Sequence, residues 1–119
     1  MTDLPPSVRT DSPGLTVTAH RQRRTLTVRV RGELDYDTVD ELLDTVTHQL
    51  SSDAPLRDVR LDFSDLTWID SSGLSALLMI HRQADAVGAT LRLDNRPALL
   101  DRVLRITNVQ DHLARHDGT

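Results

Sequence analysis

Asp70-Ser71-Ser72-Gly73-Leu74 joins two segments of different hydrophobic period, and that junction decides the fold class. Before it, Val59, Leu61 and Phe63 alternate with Arg60 and Asp62, the period of two of a strand with one buried face. After it, Leu74, Leu77, Leu78 and His81 recur at helical spacing, and Ala84 continues the same face. The five residues therefore read as a strand-to-helix turn. Ser71 or Ser72 is placed to cap backbone N–H groups that have no partner inside the helix. That helix end carries partial positive charge and accommodates an anion such as phosphate, so a serine here can be modified without unfolding its helix.

Working outward, Leu15, Val17 and Ala19 alternate with Thr16 and Thr18, and Leu26, Val28 and Val30 with Thr27, Arg29 and Arg31. These are two half-buried strands, read as a hairpin across His20-Arg21-Gln22-Arg23-Arg24, a cluster that reads as a solvated loop, with a partner or RNA contact as the lesser reading. From Asp37 the spacing changes to Val39, Leu42, Leu43, Val46 and Leu50, an amphipathic helix with Asp37 as its expected cap. The third strand is expected near Val59 to Phe63, the second helix ends around Gly88, and Leu91 and Leu93 mark a fourth strand. Asn95-Arg96-Pro97 reads as a cap with proline in the first turn of a last helix bearing Leu99, Leu100, Val103 and Leu104. Strands alternating with helices after an opening hairpin imply an α/β domain with a mixed four-stranded sheet and about three to four helices. Residues 1–13, with Pro5, Pro6 and Pro13 and no periodic pattern, read as a flexible tail, 14–112 as the domain, and 113–119 as a second tail.

With 119 residues, 38% hydrophobic and 27% charged, the chain suffices for one core. It has no apolar run of the roughly 20 residues that span a bilayer, and its start lacks the blocks of a signal peptide, so it reads as cytoplasmic and not bound to membrane. The absence of cysteine excludes disulfides and thiolate metal sites. All 14 basic residues are arginine, and the formal charge of −4 argues against nonspecific nucleic-acid binding.

Three runs in combination, Gly32-Glu33-Leu34-Asp35, Leu61-Asp62-Phe63-Ser64 through Ile69-Asp70-Ser71-Ser72-Gly73-Leu74, and Leu91-Arg92-Leu93, make the chain resemble the STAS-domain anti-sigma factor antagonists over about residues 14 to 112. The resemblance implies a STAS fold and a protein that binds a cytosolic anti-sigma factor serine kinase, releasing its sigma factor and so regulating transcription. It implies phosphorylation by that kinase at the first serine of the central motif, here Ser71, and reset by a phosphatase acting on phospho-Ser71. Partner contacts would then involve Asp35, Trp68, Asp70, Ser71, Ser72 and Gly73. Trp68 stands where smaller aromatics are common in the family, and serves either as core anchor or as partner contact. The residues alone do not choose between Ser71 and Ser72 as acceptor; the motif favours Ser71. The expectation is a stand-alone antagonist, monomeric when free, with no cofactor and no metal; the alternative is a STAS-fold subunit of a lipid-transport or signalling assembly.

Other chemistry is weaker. Asp62, Asp65 and Asp70 read as turn formers rather than paired catalytic carboxylates. A hydrolase serine needs a base within hydrogen-bond reach, yet His81 lies ten residues down the same helix from Ser71, roughly 15 Å at 1.5 Å per residue, and the turn is not a Gly-x-Ser-x-Gly elbow. His81 itself continues the apolar face and, despite Asp85 four residues on, reads as a satisfied helix histidine. His112 and His116 have a spacing that zinc accepts but no third ligand. The chain is not expected to be an enzyme.

Overall fold

The computed structural model describes residues 7–51 and 55–106. One sheet in the order β1-β2-β3-β4-β5 is built from Ser7–Ser12 (β1), Leu15–Gln22 (β2), Thr25–Leu34 (β3), Asp58–Ile69 (β4) and Thr90–Asp94 (β5). β1, β2 and β3 pair antiparallel; β3, β4 and β5 pair parallel. The parallel pairs need crossovers, supplied by Val39–Leu50 (α1) and Ser71–Ala86 (α2), and Ala98–Ile106 (α3) follows β5.

The mixed α/β sheet matches expectation with a fifth strand added. β1 falls in the stretch read as a tail: its one apolar residue, Val8, leaves no alternation to read, and it is held by ladder bonds to β2 across the Pro13-Gly14 turn. β4 is also longer than the Val59 to Phe63 expected. Its register against β3 shifts between Arg29 and Arg31 and again between Gly32 and Glu33, so the period of two breaks while the pairing continues to Leu34 and Ile69.

Val17, Ala19, Val28, Val30, Val59, Leu61, Phe63 and Leu91 share one sheet face and are buried beneath the helices, with Leu42 and Val46 of α1, Leu77 and Ile80 of α2, and Leu100 and Leu104 of α3. The opposite face carries Thr16, Thr18, Thr27, Arg29, Arg60, Asp62 and Arg92, all at least partly exposed. Across it, Arg29 approaches Asp62 and Asp65 at 3.8 and 4.0 Å, and Arg60 Nε meets Asp94 at 2.7 Å. All three helices thus cover one face. The ends of β3 and β4 are thereby free to display loops.

Two expected caps move. α1 is capped at Thr38, not Asp37, with no side-chain cap bond. Asn95 does not cap α3; its amide donates to Asp62 Oδ1 at 3.1 Å, while the Pro97 carbonyl accepts from Leu100 and Asp101. α2 ends as expected around Gly88, which at φ +76° lets Ala89 donate to the Ala84 carbonyl and Gly88 to that of Asp85.

Candidate functional site

The carboxyl ends of β3 and β4 lie side by side, Glu33 opposite Trp68 and Leu34 opposite Ile69, so the Gly32 to Asp35 and Asp70 to Leu74 runs emerge together. Loops beyond the carboxyl ends of parallel strands are where α/β sheets place their sites. Asp70 fastens the two runs. Its Oδ1 accepts from the Gly73 N–H at 3.0 Å and its Oδ2 from the Tyr36 N–H at 3.2 Å, while its own N–H donates to the Leu34 carbonyl at 3.2 Å. Asp70, not Ser71 or Ser72, is therefore the N-cap of α2. The strand-to-helix turn is as expected, but the residue with the extended cap backbone is one position earlier, and an aspartate in that position caps as well as a serine.

Asp35 organises the second run in the same way. Its Oδ1 accepts from the N–H groups of Asp37 (3.0 Å) and Thr38 (3.2 Å), closing a turn on itself. The buried Thr38 hydroxyl donates to the Glu33 carbonyl at 2.7 Å and accepts from the Asp35 N–H at 3.0 Å. Gly73 is buried at the crossing: a Cβ there would stand 2.6 Å from Ile69 Cγ1 and 2.9 Å from the Leu34 carbonyl oxygen. Only glycine lets the first turn of α2 sit this close to the end of β3.

With capping assigned to Asp70, the serine side chains are left for other work. Ser71 is the first residue of α2 and exposed; Ser72 is half-buried. The first intrahelical bond is made by the Leu74 N–H to the Asp70 carbonyl at 3.1 Å, so the N–H groups of Ser71 and Ser72 lie ahead of the helical ladder. A phosphate at this end would meet those donors and the positive end of the helix dipole.

The surface around Ser71 carries acid and aromatic groups. Glu33 and Asp37 are exposed and Asp35 and Asp70 half-buried. Trp68 is 50% exposed, which removes the core-anchor reading, and Tyr36 is 79% exposed. Of the chain's three aromatic residues only Phe63 is in the core. Residue spacing does not single out Tyr36; its position directly after Gly32-Glu33-Leu34-Asp35, in a chain with one tyrosine, is the available signal.

The structure brings Asp35, Trp68, Asp70, Ser71, Ser72 and Gly73 to one end of the sheet. His81, half-buried, lies farther along α2. Among the described residues no group of three or more histidine, aspartate or glutamate side chains is arranged to hold a metal, and no helix is long and apolar enough to cross a membrane. His112, His116 and the expected tail 113–119 lie outside the described residues.

Asp62, on the open face back along β4 from the site, has a displaced titration. Partial burial pushes its carboxyl up, but donors from the Asn95 amide and from Ser64, with the Arg29 charge, outweigh burial and hold it below the usual aspartate value.

The family model described as "Mlab, STAS domain" matches residues 17–115. Among solved structures, an anti-sigma factor antagonist from Mycobacterium paratuberculosis is 19% identical with a TM-score of 0.69, over 87% of this chain and 86% of that one. The Bacillus cell fate determinant SpoIIAA in its phosphorylated form is 23% identical with a TM-score of 0.61, over 78% and 84%. A sulfate transporter family protein from Wolinella succinogenes is 16% identical with a TM-score of 0.66, over 77% and 73%. At these identities the structures speak for the fold, and the family match spans most of the sequence. The chain belongs to the STAS-domain family.

Proposed function

We propose that this chain is an anti-sigma factor antagonist that binds a cytosolic anti-sigma factor serine kinase through the surface around Ser71, releases its sigma factor, and is switched off by phosphorylation of Ser71. The observation that carries the reading is the division of labour at the start of α2: Asp70 caps the helix while the Ser71 hydroxyl is exposed. A phosphate there adds about −1.5 to −2 charges and three acceptor oxygens. The fold tolerates them, because the helix end offers N–H donors and a favourable dipole. The interface does not, because there the charge beside Asp70 must be desolvated or must face partner carboxylates. Like-charge contact in an interface costs on the order of 3 kcal/mol, roughly a hundredfold in affinity.

Tyr36 and Trp68 supply exposed aromatic area beside the serine, of the kind that anchors protein interfaces. A phosphatase acting on phospho-Ser71 would restore binding. The chain acts as a cytoplasmic binding module, monomeric when free, without catalysis of its own. The likeness to an antagonist and to a phosphorylated determinant supports this reading. The likeness to a sulfate transporter family protein favours a second one, a STAS-fold subunit of a lipid-transport or signalling assembly, which would use the same surface on a different partner.

Incubation with the cognate kinase and ATP, followed by tandem mass spectrometry, tests the first reading. One phosphate on Ser71 is expected, and Ser71→Ala should bind the kinase without being released. Phosphate on Ser72 alone, or none, contradicts it, and recovery of a transporter ATPase in place of a kinase favours the second.

A further inference from the structure

At the opposite end of the sheet from Ser71, the β2–β3 hairpin and the starts of β4 and β5 form a second polar surface. Two adjoining depressions of about 390 and 140 Å³ open there and share Thr25 and Arg60. The larger adds His20, Arg23 and Thr27, the smaller Arg92 and Asp58. Arg60 and Arg92 are register neighbours on β4 and β5, so two guanidinium stems rise side by side from adjacent strands. Arg60 is paired with Asp94, while Arg23, Arg24 and Arg92 make no ion pair among the described residues.

The hairpin departs from what stability alone would select. Gln22 pairs with Thr25, so Arg23-Arg24 is a two-residue turn, where Asn-Gly or Gly is normally preferred. Arg23 has φ +57°, a positive φ that is strained for a residue bearing a side chain. Two like charges sit adjacent at that tip. The tip is also held rigid: the Arg24 carbonyl accepts from the Arg57 and Asp58 N–H groups at 2.7 and 3.1 Å, and the Arg57 carbonyl accepts from Thr90 at 2.9 Å. Strain and self-repulsion are tolerated on a fixed platform, the pattern of a functional surface.

We propose that this surface docks a short acidic segment of a partner protein, independently of the Ser71 end. Arginine forks match carboxylates in bidentate geometry, and threonine hydroxyls between them accept or donate as the segment requires. The lining of the depressions includes no phenylalanine, tyrosine or tryptophan, and His20 alone offers a ring to a nucleobase; the chain's charge of −4 opposes the approach of a long polyanion. A protein segment with a few clustered carboxylates meets both conditions. The proposal does not depend on phosphorylation or on the identity of the partner at Ser71.

The test is titration of the ¹⁵N-labelled full chain with hexaglutamate at low salt, read by amide shifts, beside a parallel titration with a single-stranded hexanucleotide. We expect saturable shifts over His20 to Thr27 and at Arg60 and Arg92, with Ser71 to Leu74 unmoved. In the double variant Arg23→Gly/Arg92→Gln the affinity should fall by about threefold to thirtyfold, each lost contact being an exposed charge pair. Arg23→Gly relieves the left-handed strain, so a thermal midpoint at or above that of the parent accompanies the loss. Absence of saturable shifts, shifts centred on the Ser71 end, equal affinity in the double variant, or tighter binding of the hexanucleotide would each overturn the proposal.

Discussion

Replacing Asp70 by alanine separates the two roles that meet at the start of α2. The substitution removes the acceptor for the Gly73 N–H and the acceptor for the Tyr36 N–H. Loss of an N-cap costs about 1 kcal/mol, and loss of a largely exposed hydrogen bond to a charged acceptor about 1 more. The sum is about 2 kcal/mol. At about 4 °C per kcal/mol for a domain of this size, the thermal midpoint should fall by roughly 8 °C. Asp70→Asn, which keeps an acceptor oxygen for one donor, should recover about half of that loss. Ser71→Ala, by contrast, removes an exposed hydroxyl with no capping bond and should stay within about 0.5 kcal/mol of the parent. Urea unfolding monitored by circular dichroism, with the m-value checked for constancy, measures all three. If Ser71→Ala costs as much as Asp70→Ala, the serine caps the helix after all and the separation of cap from switch is refuted.

Three further outcomes follow from the same geometry. Gly73→Ala should destabilise the fold by about 1 kcal/mol in urea unfolding: the helix gains about 1 kcal/mol in propensity, but overpacking against Ile69 and the Leu34 carbonyl costs about 1–3 kcal/mol, and that carbonyl is held by the Asp70 N–H. Asp62 titrates low in the folded state, so its stabilising contribution is complete above the unfolded aspartate value of about 3.9 and is lost as pH falls through its folded value; Asp62→Asn should flatten the decline of stability below about pH 4. Tyr36→Ala and Trp68→Ala, both at exposed positions, should leave the melting temperature within a few degrees of the parent while weakening kinase binding about tenfold or more by calorimetry.

Much of this architecture is legible in residue spacing, and the exceptions have physical causes. The alternation of Leu26, Val28 and Val30 and of Val59, Leu61 and Phe63 reports a sheet with one buried face, and that is what the burial pattern shows. β1 is invisible because an edge strand with one apolar residue is held by backbone bonds, which leave no mark on side-chain period. The second half of β4 is hidden by register shifts that put Leu66 and Ile69 three apart. At the site, motif and resemblance bring Ser71, Asp70 and Asp35 to one place, but the spacing points to Ser71 or Ser72 as the cap where the structure has Asp70, since aspartate and serine cap equally well and only backbone geometry chooses. The bond from the Tyr36 N–H to Asp70 spans 34 residues, and no local pattern encodes it.

The switch at Ser71 is tested most directly by one comparison: the affinity of the cognate kinase anti-sigma factor for the unmodified chain and for the chain phosphorylated at Ser71, measured by calorimetry with circular dichroism on both forms. Superimposable spectra, a thermal midpoint lowered by no more than a few degrees, and affinity reduced by about a hundredfold are expected. Equal affinity of the two forms, or loss of binding accompanied by unfolding, would contradict it.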